Sequence, residues 1–204
     1  MGHPQQPVAE APAAAPEFKE RKWLPTLAVF LILAVVSLGG LFAVGAAEEA
    51  LTETAPGPGA SPRPPVQVTD GVTITPLEGW EEAGRFEGIR LTRGTATLDG
   101  VGLPFEGSPE ELFDAYVEEI LRSEASQLEA ADQLETVHLD AGFTAVRGFY
   151  FGVFGERNAS IEGELTTVLV PGGIGVVFDG WAETGSYQFV RDEVNHMIQG
   201  LQVG

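Results

Sequence analysis

The longest apolar segment of the chain is a run of 25 residues, Trp23 to Ala47, without a charged side chain. About 20 apolar helical residues cross a bilayer core, so this run predicts a transmembrane helix. The alternative is a cleavable signal peptide, in which a shorter apolar stretch of ~7–15 residues ends at small residues. The length of the run and the 22-residue tail before it, with nine polar or charged residues, favour an uncleaved signal-anchor.

The basic residues around this run predict its orientation. Lys19, Arg21 and Lys22 precede it, whereas the first basic residue after it is Arg63. Positive charge is retained on the cytoplasmic side of membranes. We therefore expect an integral, single-pass protein of the plasma membrane, with a cytoplasmic N-terminus and an extracytoplasmic C-terminal domain.

Small residues within the predicted anchor suggest a helix–helix contact. Gly39, Ala43 and Ala47 recur at four-residue spacing, which lets two membrane helices approach closely. The same spacing also arises by chance, so a dimer through this face is one of two interpretations.

The chain divides into four segments by composition. Residues 1–22 contain four prolines among Ala and Gln and are predicted to be disordered. Residues 23–47 form the transmembrane helix. Residues 48–66 contain five prolines and no aromatic residue, which is typical of an extended linker. Residues 67–204 carry regular apolar patterning and predict one α+β domain with its own core.

Short strands with turn signals recur through this domain. Strands are predicted around Asp70-Gly71 and Arg93-Gly94, since Asp-Gly between apolar runs is a strong hairpin signal. Later strands are predicted at 134–139, 143–154, 161–170 and 174–181, the last two joined by a Pro-Gly-Gly turn. The strands follow one another too closely for parallel βαβ units, so a mainly antiparallel sheet is expected.

Two helices are predicted to flank the sheet. The first begins at Ser108, because Ser108-Pro109-Glu110-Glu111 combines an N-cap, a proline at the first helical position and a capping box. The second follows a cap at Thr184 or Ser186 and repeats apolar residues at helical spacing to Leu201.

These elements resemble the Mog/PsbP-like fold over residues 67–204. The resemblance rests on the order of elements, on Pro-x-x-Gly-Trp at 76–80, on Ser-Pro-Glu-Glu-Leu at 108–112 and on the apolar terminal helix. Similar domains are common as anchored or lipidated exported proteins of actinobacteria. The resemblance implies a non-enzymatic accessory or binding role: PsbP stabilises photosystem II and Mog binds a small GTPase. It implies no catalytic residues.

Charge restricts the classes of partner. Residues 67–204 contain 24 Asp and Glu against seven Arg and no Lys, which gives a net charge near −17. Phosphate would repel such a surface, so nucleic acid is not expected as a partner. The acidity serves solubility, or it attracts cations or a basic partner.

No residue pattern indicates a catalytic site, a metal site or a cofactor site. The chain has no cysteine, which excludes thiolate catalysis and cysteine-ligated metals. Asp192 and His196 share a helix face but lack further ligands, so a surface pair is favoured over a metal site. We therefore expect no enzyme activity, no metal site and no cofactor.

The most distinctive segment of the domain is the aromatic strand Phe143 to Phe154. A central strand covered on both faces would have this composition. Alternatively, Gly148 and Gly152 mark close approach by a ligand, and the strand lines an aromatic cleft. The residues of this candidate binding surface are Trp80, Arg147, Tyr150, Phe154 and Trp181.

The function expected from these patterns is that of a membrane-anchored, exported, non-catalytic domain at the cell envelope. It would bind a protein partner or a small ligand. The alternatives are an envelope enzyme whose active site cannot be recognised in the sequence, and a scaffold subunit of a larger membrane complex.

Overall fold

A computed structural model of the chain describes residues 63–85, 88–155 and 159–204. The predicted tail, the anchor with Gly39, Ala43 and Ala47, and nearly all of the linker lie outside the described residues. In the described ranges, the helices are too short or too polar to cross a bilayer.

The described residues form an α+β domain with two antiparallel sheets. The strands are β1 (Val66–Thr69), β2 (Val72–Ile74), β3 (Glu81–Arg85), β4 (Gly88–Arg93), β5 (Ala96–Pro104), β6 (Ala125–Ala130), β7 (Glu135–His138), β8 (Thr144–Phe154), β9 (Ala159–Val170), β10 (Ile174–Glu183) and β11 (Gln202–Val203). The large sheet has the order β3-β4-β5-β10-β9-β8-β6, and the small sheet has the order β1-β2-β11. Strand β7 pairs with the N-terminal half of β8, along the edge whose C-terminal half pairs with β6.

Helix α1 (Pro109–Tyr116) begins as the sequence predicts. The Ser108 hydroxyl accepts a hydrogen bond from the Glu111 N–H at 3.2 Å, and the Glu111 carboxylate accepts one from the Ser108 N–H at 2.9 Å. Both bonds satisfy N–H groups that a helix start leaves unpaired. The helix continues through a π-helical turn (Val117–Leu121) and a last α-helical turn (Arg122–Glu124).

Helix α2 (Arg191–Gln199) does not begin where the sequence predicts. A 3₁₀ turn (Tyr187–Phe189) follows Ser186, and the N-cap position of α2 is Val190 without a side-chain cap. The predicted caps at Thr184 and Ser186 are therefore wrong, because the chain first forms the tighter turn.

The large sheet separates two apolar cores. Helix α1 covers one face, where Leu112 and Phe113 pack against residues such as Val146, Leu165 and Val177. Helix α2 and the small sheet cover the other face, which we call the α2 face. The architecture is therefore a sheet between two unequal layers, and each face has its own apolar core.

Strand β8 is not covered on both faces. Phe149 and Phe151 point to the α2 face, where their side chains are 44% and 40% exposed. Helix α2 packs over β10, and the guanidinium of its first residue, Arg191, lies 4.3 Å from the centre of the Phe149 ring, yet a large part of both phenylalanines stays exposed. The expectation of a fully covered central strand is thus wrong for its second half.

The predicted hairpins formed, and three strands were not predicted. Gly71, at φ +73° in the β1–β2 turn, adopts the left-handed conformation that glycine favours. Strands β3, β6 and β11 have weak or very short apolar patterns. Only their pairing with β4, β8 and β2 defines them.

Candidate functional site

Three ionisable residues stand side by side on the face of the large sheet that α1 covers. The strand register places Arg90 of β4 opposite Asp99 of β5, and Asp99 opposite Asp179 of β10. Directly opposed side chains lie on the same face within contact distance. The register therefore brings two aspartates that are 80 residues apart in the chain into one site.

Asp99 is held as an ion pair. The Arg90 guanidinium donates from Nε to Oδ1 at 2.6 Å and from Nη2 to Oδ2 at 2.9 Å, in the two-bond geometry typical of strong Arg–carboxylate pairs. The Trp181 indole Nε1–H donates to Asp99 Oδ2 at 3.2 Å. The hydrogen bond to Asp99 also raises the pKa of Arg90.

Asp179 is in a different state from Asp99. It is 6% exposed, and the hydroxyl of Tyr150 donates a hydrogen bond to its Oδ1 at 2.8 Å. Burial, together with the charge of Asp99, raises the pKa of Asp179 from 3.8 to about 8, although the Tyr150 hydrogen bond opposes the shift. Asp179 is therefore mostly protonated at neutral pH, beside the ion pair of Asp99 with Arg90.

A glycine allows Tyr150 to reach Asp179. Strand β9 lies between β8 and β10, and its residue opposite Tyr150 is Gly163. A Cβ at Gly163 would lie 2.6 Å from Cζ of Tyr150 and 2.7 Å from the carbonyl oxygen of Gly180. Because Gly163 has no side chain, the Tyr150 ring can lie across β9.

Helix α1 adds a third carboxyl group at its end. Burial, with a contribution from Asp99, raises the pKa of Glu124 from 4.5 to about 7. The Glu124 Oε1 atom is buried and makes no hydrogen bond. Burial, followed by the charge of Asp179, also raises the pKa of the Tyr116 phenol well above 10.

These side chains line a pocket of about 80 Å³ between α1 and the sheet, which we call the Trp181 pocket. Its lining comprises Arg90, Asp99, Tyr116, Ile120, Leu121, Glu124, Tyr150, Phe154, Ile161, Asp179 and Trp181. The volume suits a few water molecules or a small charged group. Carboxylates next to aromatic rings favour a cation, and titration near neutral pH makes cation binding and proton release linked events.

Three of the five candidate residues meet in this pocket. Tyr150, Phe154 and Trp181 all line it, and the Tyr150 and Phe154 rings are in edge-to-face contact at 6.2 Å. Tyr150 is 5% exposed, whereas Phe154 is only half-buried.

The other two candidates lie on the α2 face. Trp80 is fully buried there, and its Nε1–H donates to Glu193 of α2 at 2.8 Å. Arg147 lies 3.4 Å from the buried Glu164, which also pairs with Arg191. These two residues therefore support the packing of α2, on the side of the sheet away from the Trp181 pocket.

The close approach at Gly148 and Gly152 comes from side chains of the protein itself. A Cβ at Gly148 would lie 2.7 Å from both Phe113 and Leu134, and one at Gly152 would lie 2.4 Å from the Phe154 ring. Both glycines therefore permit close side-chain packing on the face that α1 covers.

The sequence analysis missed the charged members of the pocket. Asp99 and Asp179 each stand alone in an apolar strand and precede a glycine, a pair that otherwise indicates a turn. A single acid within a buried strand was the signal that could have identified them. Within the described ranges, no group of three or more His, Asp or Glu residues is arranged to hold a metal ion.

Neither a protein-family model nor a curated protein matches this sequence. Solved structures do match. The PsbP protein CyanoP of Synechocystis sp. PCC 6803 is 14% identical, with a TM-score of 0.51 over 74% of this chain and 98% of CyanoP. LpqN of Mycobacterium tuberculosis, described as involved in cell envelope biogenesis, is 12% identical, with a TM-score of 0.50 over 71% of this chain and 86% of LpqN.

A third similar structure is the Ran-binding protein Mog1p of Saccharomyces cerevisiae. It is 11% identical, with a TM-score of 0.51 over 69% of this chain and 96% of Mog1p. Sequence identities this low support a shared arrangement of helices and strands, which is the fold. The resemblance to the Mog/PsbP-like fold that the sequence predicted is confirmed for the fold. The domain has the PsbP/Mog1-like fold.

Proposed function

We propose that this protein is a single-pass, membrane-anchored, non-catalytic binding domain that works on the extracytoplasmic side of the envelope. The Trp181 pocket would receive a small cationic group of its partner or ligand. The observation that carries this proposal is the meeting of Asp99, Asp179 and Glu124 with aromatic rings in one pocket. The similar Mog1p is a Ran-binding protein, which makes protein binding compatible with this fold.

The protonation of the pocket predicts how binding depends on pH. Asp179 and Glu124, with pKa values of about 8 and about 7, hold protons at or below neutral pH. A bound cation favours the ionised carboxylates, so its binding releases protons. Affinity should therefore rise as the pH is raised from 6 to 9.

Binding is tested by crosslinking of the full chain in the envelope, followed by capture and mass spectrometry. Glu124→Gln removes a charge from the pocket, and Trp181→Ala opens one of its walls. Phe189→Ala is the control, because Phe189 is an aromatic residue that is 78% exposed and does not line the pocket. Partners should be lost from both pocket variants and kept by the control; an unchanged set of partners in folded pocket variants would refute the site.

The anchor is tested separately by proteolysis of intact cells. The charge-free run 23–47 and the basic residues before it predict that external protease removes residues 67–204 and leaves a membrane-bound N-terminal piece. A soluble product in the medium that begins near Ala47 would contradict the anchor without affecting the binding proposal.

A further inference from the structure

Two phenylalanines of β8 have nearly the same surroundings on the α2 face. Phe149 is opposite Glu164 of β9, and Phe151 is opposite Glu162 of the same strand. Alternate residues of a strand point to the same face and are separated by about 6.7 Å, and directly opposed residues have neighbouring side chains. Each of the two rings therefore has a glutamate of β9 beside it, and the two Phe–Glu pairs form a short repeat along the sheet.

The first Phe–Glu pair binds an arginine of this chain. The Arg191 guanidinium lies 4.3 Å from the centre of the Phe149 ring, and its Nε and Nη2 donate hydrogen bonds to Glu164 Oε2 at 3.1 and 2.9 Å. A guanidinium over an aromatic face gains cation–π attraction, and its planar set of donors lets it stack on a ring and pair with a carboxylate at once. The fold thus contains one example of what such a pair binds.

The second Phe–Glu pair offers the same groups and a further carboxylate. Phe151 is exposed, and the residue opposite it on β6 is Glu129, which is also exposed. Glu162 is half-buried, and its Oε1 accepts the N–H of Tyr187 at 3.0 Å; a carboxylate can accept further hydrogen bonds. Among residues 63–85, 88–155 and 159–204, no arginine stacks on the Phe151 ring.

The charge around Phe151 favours a cation. Its two cross-strand neighbours, Glu129 and Glu162, are both acidic, whereas Arg147 and Arg191 both contact Glu164. The excess of acidic residues in the whole domain adds a long-range attraction for a basic partner. A partner with apolar residues beside its basic group would also cover the exposed part of Phe149, which removes further apolar area from water.

We infer that Phe151, Glu129 and Glu162 bind an arginine side chain of a partner protein. We call this place the Phe151 site. The partner's guanidinium stacks on the Phe151 ring and pairs with the flanking carboxylates, as Arg191 does at the first Phe–Glu pair. Tyr150, which lines the Trp181 pocket, points to the other face of the sheet, so the Phe151 site and the proposed function can fail separately.

The test uses the isotope-labelled full chain in a non-ionic detergent and a heptapeptide with one central arginine between two leucines. An NMR titration of the backbone amide signals measures the affinity and locates the peptide on the sheet. Two sister peptides replace the arginine. Citrulline has the shape of arginine without its charge, and lysine has the charge without the planar guanidinium.

Two variants remove the groups of the Phe151 site. Phe151→Leu keeps an apolar side chain without the aromatic face. Glu129→Gln/Glu162→Gln removes both charges and keeps an amide oxygen that can accept the Tyr187 N–H. The control, Glu78→Gln/Glu81→Gln, loses the same charge at two exposed positions beside and within β3, at the opposite edge of the large sheet.

The arginine peptide should shift the amide signals of β6, β8 and β9, and its affinity should fall about threefold or more in each site variant but less than about 1.5-fold in the control. The citrulline peptide should bind the native chain at least about threefold more weakly, a comparison that does not depend on the folding of any variant. Equal losses in the site and control variants would reduce the effect to bulk charge and overturn the inference.

Two further results would overturn the occupant. Equal affinity of the lysine and arginine peptides would exclude a stacked guanidinium. Arg157 lies between β8 and β9, outside the described residues, and Arg157→Gln should leave the affinity unchanged. A gain of about tenfold in that variant, which corresponds to about 1.4 kcal/mol, would assign the Phe151 site to this chain's own arginine instead of a partner's.

Discussion

Replacement of Asp179 by asparagine is expected to remove a large pH dependence from the stability of the domain. Asparagine has nearly the same shape and keeps an oxygen that accepts the hydrogen bond of Tyr150, which is 2.8 Å from Asp179 Oδ1 in the native chain. It cannot ionise, however. The variant therefore isolates the free energy of burying an ionisable group beside Asp99.

The direction of the effect follows from the raised pKa of Asp179, from 3.8 to about 8. The folded chain keeps this proton over a pH range in which the unfolded chain has released it. The stabilisation is fully present below the unfolded-state pKa and is lost as the pH rises towards the folded-state pKa. The native protein should become less stable relative to the variant between these limits.

The magnitude is a few kcal/mol. Each unit of pH between the two pKa values lowers the free energy of unfolding by about 1.4 kcal/mol. Between pH 5 and pH 9 the loss is then about 4 kcal/mol if the pocket stays rigid. Entry of water into the pocket would reduce it, so we expect ~2–4 kcal/mol against a typical total of ~5–15 kcal/mol.

Urea unfolding of the full chain in a non-ionic detergent, followed by tryptophan fluorescence from pH 5 to pH 9, measures this difference. Asp132→Asn, at an exposed position of a loop, is the matched control and should track the native protein at every pH. Parallel curves for the native chain and Asp179→Asn would mean that Asp179 titrates normally, and would refute the account of the Trp181 pocket.

Three further predictions concern packing and autonomy. Tyr150→Ala should lower the free energy of unfolding by ~3–5 kcal/mol, because Tyr150 is 5% exposed. Phe154→Ala should lower it by only ~1–2 kcal/mol, because Phe154 is half-buried. Thermal melts in which Phe154→Ala is the less stable variant would contradict this difference in burial. Gly163→Ala should destabilise by ~1–3 kcal/mol and break the Tyr150–Asp179 hydrogen bond, because its Cβ would lie 2.7 Å from the Gly180 carbonyl oxygen; a near-ultraviolet tyrosine signal identical to the native one would argue otherwise. A fragment of residues 63–204 should unfold in one cooperative transition, since it contains both cores; calorimetry without a transition would show that it needs the rest of the chain.

Local signals determined where several elements begin and turn. The start of α1 at Ser108 depends on hydrogen bonds within four residues, and the β1–β2 turn depends on one glycine at positive φ. Both are readable because every interacting group is close in sequence. The order of such elements was also enough to predict the α+β class and the PsbP/Mog1-like fold.

The alternation of side chains along β8 already separates the members of the candidate binding surface. Residues an odd number apart on a strand point to opposite faces, so Arg147 cannot share a flat surface with Tyr150 or Phe154. The structure places Arg147 beside Glu164, towards α2. Trp80, whose place depends on the packing of α2 through Glu193, had no comparable signal.

The chemistry of the Trp181 pocket was decided only by the tertiary structure. Asp99 and Asp179 meet through the register of β5 and β10, and Glu124 reaches them from the end of α1. The pKa values of Asp179 and Glu124 depend on burial and on the charge of Asp99, quantities that exist only after distant segments have packed and excluded water. The amino-acid sequence alone determines which groups can ionise, and the fold determines which of them are ionised at neutral pH.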